Sequence, residues 1–483
     1  MQIPYKSILV LERSSAVPLY VQLANAFIQH IQSGIIPKGY KLLGSRPLAE
    51  LLEINRQTVI QAFEEIQSQG WIEILPKKGV FVSNQLPIVQ AKGFISTQIS
   101  ETSEKDSILT NRASGLFLPK LIQHRLAFND GLPDPRLAPR EALAKRYAHY
   151  INYAEPALLN YTEVYGLRRF RENLAALLNQ TRGLSITAEH ILSTRGSQMG
   201  IYLVAHAFIR SGDLVVVGEL SYQATNLTFE HFGATVMTIP VDEDGLDTIA
   251  LEKLCKKLPI RMVYVTSHHY HPTTVTLKPE RRLHLLQLAE TYHFWIIEDD
   301  YDYDFHYANR PVLPLASANT HGRVIYIGSF TKLIAPTFRV GYVVANPETI
   351  EELGKIRRII DRQGDTILEA CLADLLENGT LRRHVTKALK EYRVRRDFTC
   401  ELFEKELGEK VSFEKPQGGM AIWMKFSEKY PLALLSDKAH KKGLYLPNGG
   451  AYKPLNACRI GFASMTLSEI EESMSILKKI MSD

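Results

Sequence analysis

The chain reads as a multidomain protein: an N-terminal α+β module, a large α/β body, and a small C-terminal α+β domain. Three observations predict this. A length of 483 residues exceeds one ordinary core and suits two or three. Near residue 124 the pattern changes to alternating strand-like and helix-like runs, the mark of a mostly parallel sheet covered by helices. Between the two patterns, residues 84–123 are polar, rich in Gln, Ser, Thr and Lys, and hold no sustained period, as a linker would.

At the N-terminus, Pro18 precedes Tyr20, Leu23, Phe27 and Ile31, whose three- and four-residue spacing makes one apolar helical face. Gly34, Pro37 and Gly39 end it. Ser45 is positioned to cap a short second helix carrying Leu48, Leu51 and Leu52, and Asn55 a third carrying Val59, Phe63 and Ile66, with Gly70 as its stop. Two short β runs, residues 71–75 and 80–82, flank a Pro-Lys-Lys-Gly turn. Helix, helix, turn, helix and hairpin together predict a winged helix-turn-helix over residues 1–83.

In such modules the N-terminus of the third helix meets the major groove of double-stranded DNA. Here that end presents Asn55, Arg56, Gln57 and Thr58. Arg56 and Gln57 have the donors and acceptors to read base edges, while Ser45, Arg46, Lys77 and Lys78 suit phosphates. The overall charge of +5 permits a polyanionic partner without requiring one, and Glu50, Glu53, Glu64, Glu65 and Glu73 dilute the module's basic charge. The wording is more specific than the charge. P-L-Y-x-Q-L, G-x-x-x-x-G-x-x-L, G-S-R-x-L-A, N-R-x-T-V, G-W-I-E and G-x-F-V resemble the GntR winged-helix family throughout. Leu43 stands where proline is usual, and Asn55 replaces a common serine with its capping chemistry kept.

The body, residues 124–346, is organised around residues 324–342, V-I-Y-I-G-S-F-T-K-L-I-A-P-T-F-R-V-G-Y. A lysine just past a buried strand is costly if charged and unpaired, so Lys332 asks for a role. Forming a Schiff base with an aldehyde cofactor is one, and Ser329, Thr331 and Arg339 are the donors a phosphate monoester needs. A serine nucleophile in S-x-x-K is the rival reading, but its usual companions S-D-N and K-T-G are absent. Upstream, W-I-I-E-D-D-Y-D over residues 295–302 ends a second buried strand in carboxylates and a tyrosine. A pyridoxal ring wants a carboxylate at its nitrogen and a hydroxyl near its phenolic oxygen.

This pair of strand ends resembles the fold-type I aminotransferase site. The resemblance implies pyridoxal 5'-phosphate as cofactor, Lys332 as the Schiff-base lysine, Asp299 as partner of the pyridine nitrogen and Tyr301 as partner of the phenolic oxygen. Ser329 and Arg339 would hold the phosphate. Other strand ends fall into order with it. Gly196, Ser197 and Gln198, at the start of an apolar helix, would line the phosphate. Tyr222 would stack on the ring and His269, in S-H-H-Y-H-P-T, would border it. Three histidines in that turn raise the thought of a metal, but the spacing is that of a turn and no Cys/His cluster completes a site. No metal is expected.

With the GntR-like head, the chain resembles the MocR/GabR subfamily of transcription regulators, which fuse a winged helix to an aminotransferase-like body. That resemblance spans nearly everything but the linker. It implies that Tyr161, in Y-T-E-V-Y-G-L-R, reaches across a homodimer to the partner's phosphate. It also implies that Arg459, in C-R-I-G-F-A, grips a ligand carboxylate with Gly131 nearby. The member of this subfamily that senses a γ-amino acid uses an arginine two residues after the stacking tyrosine. Ala224 stands there, which points away from a γ-amino acid and toward an α-amino acid or the cofactor itself; amines are also candidates for what the body senses. The alternative is a working aminotransferase with a fused DNA-binding head.

From residue 347 the C-terminal domain shows a long charged helix over 381–407, β runs over 411–414 and 420–426, and a last helix over 468–481. The paired glycines at 418–419 and 449–450 suit substrate-edge loops. A weak helix over 107–117 is expected in the linker. Four scattered cysteines without C-x-x-C suit a reducing compartment, and no N-terminal signal or ~20-residue apolar run is present. A cytoplasmic protein with no membrane segment is expected.

Overall fold

The computed structural model describes residues 3–15, 17–86, 124–307, 312–319 and 321–482. The linker over residues 87–123, with the helix expected at 107–117, lies outside the described residues. The chain divides into two compact units, residues 1–110 and 111–483.

In the first unit, helices Leu19–Gln32, Ser45–Leu52 and Arg56–Ser68 stack around Leu23, Phe27, Ile31, Leu48, Val59 and Phe63, all buried. The hairpin β1 (Ile72–Leu75) and β2 (Gly79–Val82) closes one side, antiparallel from Ile72↔Val82 to Leu75↔Gly79. Asn55 caps its helix as its chemistry predicts, its Oδ1 accepting from the Gln57 amide at 2.8 Å. Ser45 does not cap. Gly44 takes the cap position in extended conformation and Ser45 is already the first helical residue. From there its hydroxyl accepts from Arg56 Nε at 3.3 Å instead. A four-residue helix, Tyr5–Ile8, was not foreseen. It is too short to show a period, and its Tyr5 is held by tertiary packing against Phe27, with ring centroids 6.3 Å apart.

The second unit contains, in chain order, β3 (Leu126–Ala127), β4 (Ile191–Thr194), β5 (Leu214–Gly218), β6 (Thr235–Ile239), β7 (Val241–Asp242), β8 (Gly245–Leu246), β9 (Ile260–Val265), β10 (Trp295–Asp300), β11 (Val324–Ser329), β12 (Gly341–Val344), β13 (Val411–Phe413), β14 (Ala421–Phe426), β15 (Leu444–Tyr445) and β16 (Ala457–Gly461). Seven of them form one sheet in the order β4-β12-β11-β10-β9-β5-β6. Its central strands are rich in Val and Ile because both faces are covered, as in β11, where every residue is buried, whereas the edge strand β6 is mostly uncovered.

Within the sheet only β12 runs against its neighbours, antiparallel to both β11 and β4. This brings the start of β12 to the same edge as the ends of the parallel strands. Ser329 faces Gly341 in that register, so Arg339 arrives beside the segment that follows β11. The β10–β11 pairing sets Asp299 opposite Ile327 and Asp300 opposite Gly328. One edge of the sheet therefore collects the polar ends of β4, β5, β9, β10 and β11 and the start of β12, where open α/β sheets gather ligands.

A second, antiparallel sheet, β13-β14-β16, backs onto helices Thr380–Leu407 and Leu467–Ile480. It brings Arg459, in β16 opposite Trp423, to the region of the same edge. Among the described residues no helix is long and apolar enough to cross a membrane.

Candidate functional site

A cavity of about 270 Å³ opens at this edge. Its walls are Asp130, Leu132, Ser197, Gln198, Tyr222, Tyr264, His271, Asp299, Tyr301, Ser329, Thr331, Lys332, Arg339 and Arg459. Residues separated by more than three hundred positions meet here because strand order, not chain order, decides what shares the edge.

Lys332 projects from the turn after β11, and its Nζ donates to the Gly131 carbonyl at 2.5 Å. Burial pushes its pKa below the ordinary lysine value, and the Arg459 guanidinium pushes the same way against Asp130 and Asp302. A lysine so placed is the nucleophilic amine that condensation with an aldehyde requires. Asp299 sits at the end of β10, 5% exposed. Its Oδ2 accepts from the Tyr264 hydroxyl at 2.9 Å, while Oδ1 has no partner. Burial raises this carboxyl to about 7, against the Tyr264 hydrogen bond, with Asp300 and Asp302 adding repulsion. An orphaned, buried carboxylate oxygen on a cavity wall is what a protonated ring nitrogen would satisfy.

The opposite end of the cavity is built for an anion. Helix Ser197–Phe208 begins at Gly196 with no side chain capping it, so its first amides remain free. Gly196 has φ +81°, and a Cβ there would lie 2.7 Å from Arg339 Nη2, so a larger residue would expel the guanidinium. Arg339 itself is left-handed at φ 48° and donates to the Arg195 carbonyl at 3.0 Å. The Ser329 hydroxyl accepts from the Thr331 amide at 3.1 Å. Thr331 Oγ1 and Gln198 Oε1 are buried without partners. Hydroxyls, helix amides and a planar cation thus converge without an anion of the protein's own, a donor set that fits a phosphate monoester. The residues present fit pyridoxal phosphate at both ends.

Between these ends stand the aromatics. Tyr222 faces His271 edge-on at 5.3 Å between ring centroids. The Tyr301 hydroxyl donates to the His269 carbonyl at 3.0 Å, and burial raises its pKa well above the usual phenol value.

His269 is not on the wall. Its Nδ1 lies 2.8 Å from Asp302 Oδ1 and the side chain is buried behind the cavity. The glycine pair at 418–419 packs over it so closely that a Cβ at Gly418 would fall 2.0 Å from its Nε2. A buried carboxylate and that close approach draw the ring away from the position the resemblance implied. His271, two residues on, faces the cavity in its place, with Tyr452 Oη 3.2 Å from its Nε2. Burial, reinforced by the nearby Arg459 charge, depresses His271 to about 3, so it is neutral at ordinary pH.

Arg459 is buried, with Nε 2.7 Å from Asp130 Oδ1 and Nη1 donating to the Pro272 carbonyl at 3.3 Å. Gly131, at φ +77°, lies within this cluster, since a Cβ there would be 3.4 Å from Arg459 Nη2. Tyr161 is outside the cavity, 70% exposed, with the Arg362 guanidinium 3.9 Å over its ring. Sequence reasoning missed Tyr264, His271 and Asp130. For Tyr264 a signal existed: a tyrosine hydroxyl inside an otherwise apolar strand must find a partner.

In the first unit Asn55, Arg56 and Gln57 are exposed side by side and Thr58 is half-buried behind them. Arg46, Lys77 and Lys78 are exposed and Ser45 is half-exposed, joined to Arg56 by the hydrogen bond already described.

Comparison with known proteins decides the family. The profile of aminotransferase class I and II matches residues 125–477. The chain belongs to that family. A second profile, bacterial regulatory proteins of the gntR family, matches residues 19–82, so a GntR helix-turn-helix is fused to the aminotransferase-type body. The chain is 25% identical to the probable rhizopine catabolism regulatory protein MocR of Rhizobium meliloti, over 97% of this chain and 95% of that one. It is 29% identical to aromatic-amino-acid aminotransferase 1 of Thermococcus litoralis, covering 73% of this chain and 87% of that one. Among solved structures, the Pyrococcus horikoshii kynurenine aminotransferase in complex with PMP superposes with a TM-score of 0.72 at 27% identity, covering 79% of this chain and 98% of that one. This member of the family has the architecture of a MocR-like regulator.

Proposed function

We propose that the protein is a transcription regulator whose GntR-type head binds operator DNA while its body holds pyridoxal phosphate on Lys332 and senses an amine, an amino acid or the cofactor itself. The observation that carries this reading is the coexistence of two intact surfaces in one chain. One is the exposed Asn55-Arg56-Gln57 helix end; the other is the cavity joining Lys332, the orphaned Asp299 oxygen and the anion cradle. Relatives named as regulators that match over nearly the whole chain support it.

When bound, pyridoxal phosphate supplies an aldehyde that condenses with amines and a ring that withdraws electrons. Around it, Asp299 would offer its unpartnered carboxylate oxygen to the ring nitrogen and Tyr301 its hydroxyl to the phenolic oxygen. Ser197, Gln198, Ser329 and Arg339 would hold the phosphate, with Gly196 leaving room for the arginine. Tyr222 and His271 would flank the ring, and the Lys332 amine would serve as the group that holds the cofactor and that can carry a proton. Arg459 and the Gly131 loop orient a ligand carboxylate. For any ligand to regulate DNA binding it must bind two states of the protein with different affinity.

Tyr161, exposed on its own chain, would serve the neighbour's phosphate in a homodimer, and paired heads would then require two half-sites. The second reading, an active aminotransferase with a fused head, draws on the same unbroken constellation of Lys332, Asp299 and Arg459. One experiment separates them. The visible absorption of the purified protein is followed through titration with amino acids and amines, beside Lys332→Ala. A band absent from the variant and shifted persistently by one compound supports a sensor. Collapse to the amine form of the cofactor, reversed by a keto acid, makes the protein a transaminase.

A further inference from the structure

Arg459 is the buried cation of the cavity, and an acid of the chain already lies against it in ion-pair contact, without the alignment of a hydrogen bond. Its side chain is 4% exposed and its Nε meets Oδ1 of Asp130, whose own side chain is 56% exposed, at 2.7 Å. A second edge is turned to the Pro272 carbonyl. Asp130 sits between two pinned neighbours. The Asn129 carbonyl accepts from the Gly461 amide at 2.7 Å and its side-chain amide donates to Ser464 Oγ at 2.7 Å. The Gly131 carbonyl accepts from Lys332 at 2.5 Å. The Asp130 carboxylate can therefore swing out to water about its own side-chain bonds with the backbone held.

We propose that Asp130 is a resident counter-ion that sets the ligand selectivity of the cavity: a ligand carrying a carboxylate must displace it from Arg459, and an amine without a carboxylate need not. The inference rests on the reading that Arg459 faces a ligand carboxylate. An acid already on the arginine makes carboxylate ligands compete with the chain itself, so the protein answers amino acids only above a raised threshold. Because Asp130 is half-exposed, its pair with Arg459 is partly screened and the threshold is modest, of the order of 2- to 5-fold in ligand concentration. Carboxyl-free amines meet no such barrier.

The test uses the full-length protein, wild type and Asp130→Asn, with Asp130→Ser as a second variant that also lacks the charge. Loaded with pyridoxal phosphate, each is titrated with alanine against ethylamine and leucine against 3-methylbutylamine, then with lysine, following the cofactor band. Cofactor-free, each is titrated with propionate, following the emission of Trp423, which lies opposite Arg459 across the β14–β16 pair. Removing the charge should tighten alanine, leucine and propionate about 2- to 5-fold and leave both amines unchanged. Equal gains for amines and amino acids, or no gain for either, would overturn the proposal. So would a loss confined to lysine, which would make Asp130 a receptor for a side-chain cation. Arg459→Gln separates the layers. If it leaves amino-acid and propionate binding unaltered, the carboxylate reading of Arg459 falls. If it weakens them while the Asp130 variants change nothing, only the counter-ion inference falls.

Discussion

The head and the body carry their candidate sites in opposite ways. Asn55, Arg56, Gln57 and Thr58 are consecutive, displayed by one helix whose cap is one of them, with Ser45 ten residues away. The body's cavity takes Asp130 and Arg459 from near its two chain ends and Lys332 from between them, and none of these is near another without the sheet. A local site needs only its own helix held in place. A distributed one needs the whole order β4-β12-β11-β10-β9-β5-β6 to be correct. It follows that the head's function should fail residue by residue, while the body's should fail through any element that sets the edge.

The largest expected effect is at Lys332. Lys332→Ala should abolish the visible cofactor band entirely while the head, resting on its own core, still binds DNA. If DNA binding vanished in the cofactor-free and cofactor-loaded states of the variant alike, the independence of the two sites would be broken.

Next comes Asp299, through pH. Its folded pKa of about 7 lies above the ordinary carboxylate value of 3.8, so the cofactor-free folded state holds a proton that the unfolded chain has lost. Its contribution favours folding at low pH and is progressively lost as pH rises from about 4 to 7, by roughly 1.4 kcal/mol per unit. Denaturation of cofactor-free protein at pH 5 and pH 8 should therefore show Asp299→Asn gaining on wild type by a few kcal/mol at the higher pH. Equal pH slopes would show that water in the cavity already relieves this carboxylate.

Arg56→Ala should weaken operator binding by about 1–3 kcal/mol, the range of one bidentate base contact. The cofactor spectrum should not move, and a change in both would mean that the sites are not separable. Affinity of the wild-type head should also fall with salt, with a log–log slope near −0.9 for each phosphate neutralised. The smallest effect is at Tyr161. In mixed dimers, Tyr161→Phe should weaken cofactor retention by about 1 kcal/mol, one hydrogen bond, and only at the site it would be lent to. Loss at both sites, or at neither, would remove the shared-site arrangement.

The contrast also explains what could be read in advance. Asn55 could be assigned its cap because capping is a short-range bargain between one side chain and an amide two residues on. Ser45 could not, since whether Gly44 or Ser45 occupies the cap depends on how the preceding strand-like segment is pinned to the hairpin, where the Leu42 amide bonds the Val80 carbonyl. In the body, the meeting of Lys332, Asp299, Tyr301, Ser329 and Arg339 at one cavity could be anticipated because each lies within a few residues of a buried run that announces a strand end. His269 and His271 were not distinguishable, because both lie in one short turn and either ring could face the ligand. A carboxylate 33 residues away and a glycine in the loop between β13 and β14 turned His269 inward.

By itself, then, the order of residues determined which strands would be buried, where their polar ends would fall, and which helix end would display its cap to solvent. These follow from hydrophobic period, turn chemistry and capping, all of which act within a few residues. Only the tertiary structure decided that β12 runs antiparallel and delivers Arg339, that Tyr264 supports Asp299, and that Asp130 is the acid seated on Arg459. Those facts depend on which distant segments share an edge, and that is settled by the packing of whole elements against one another.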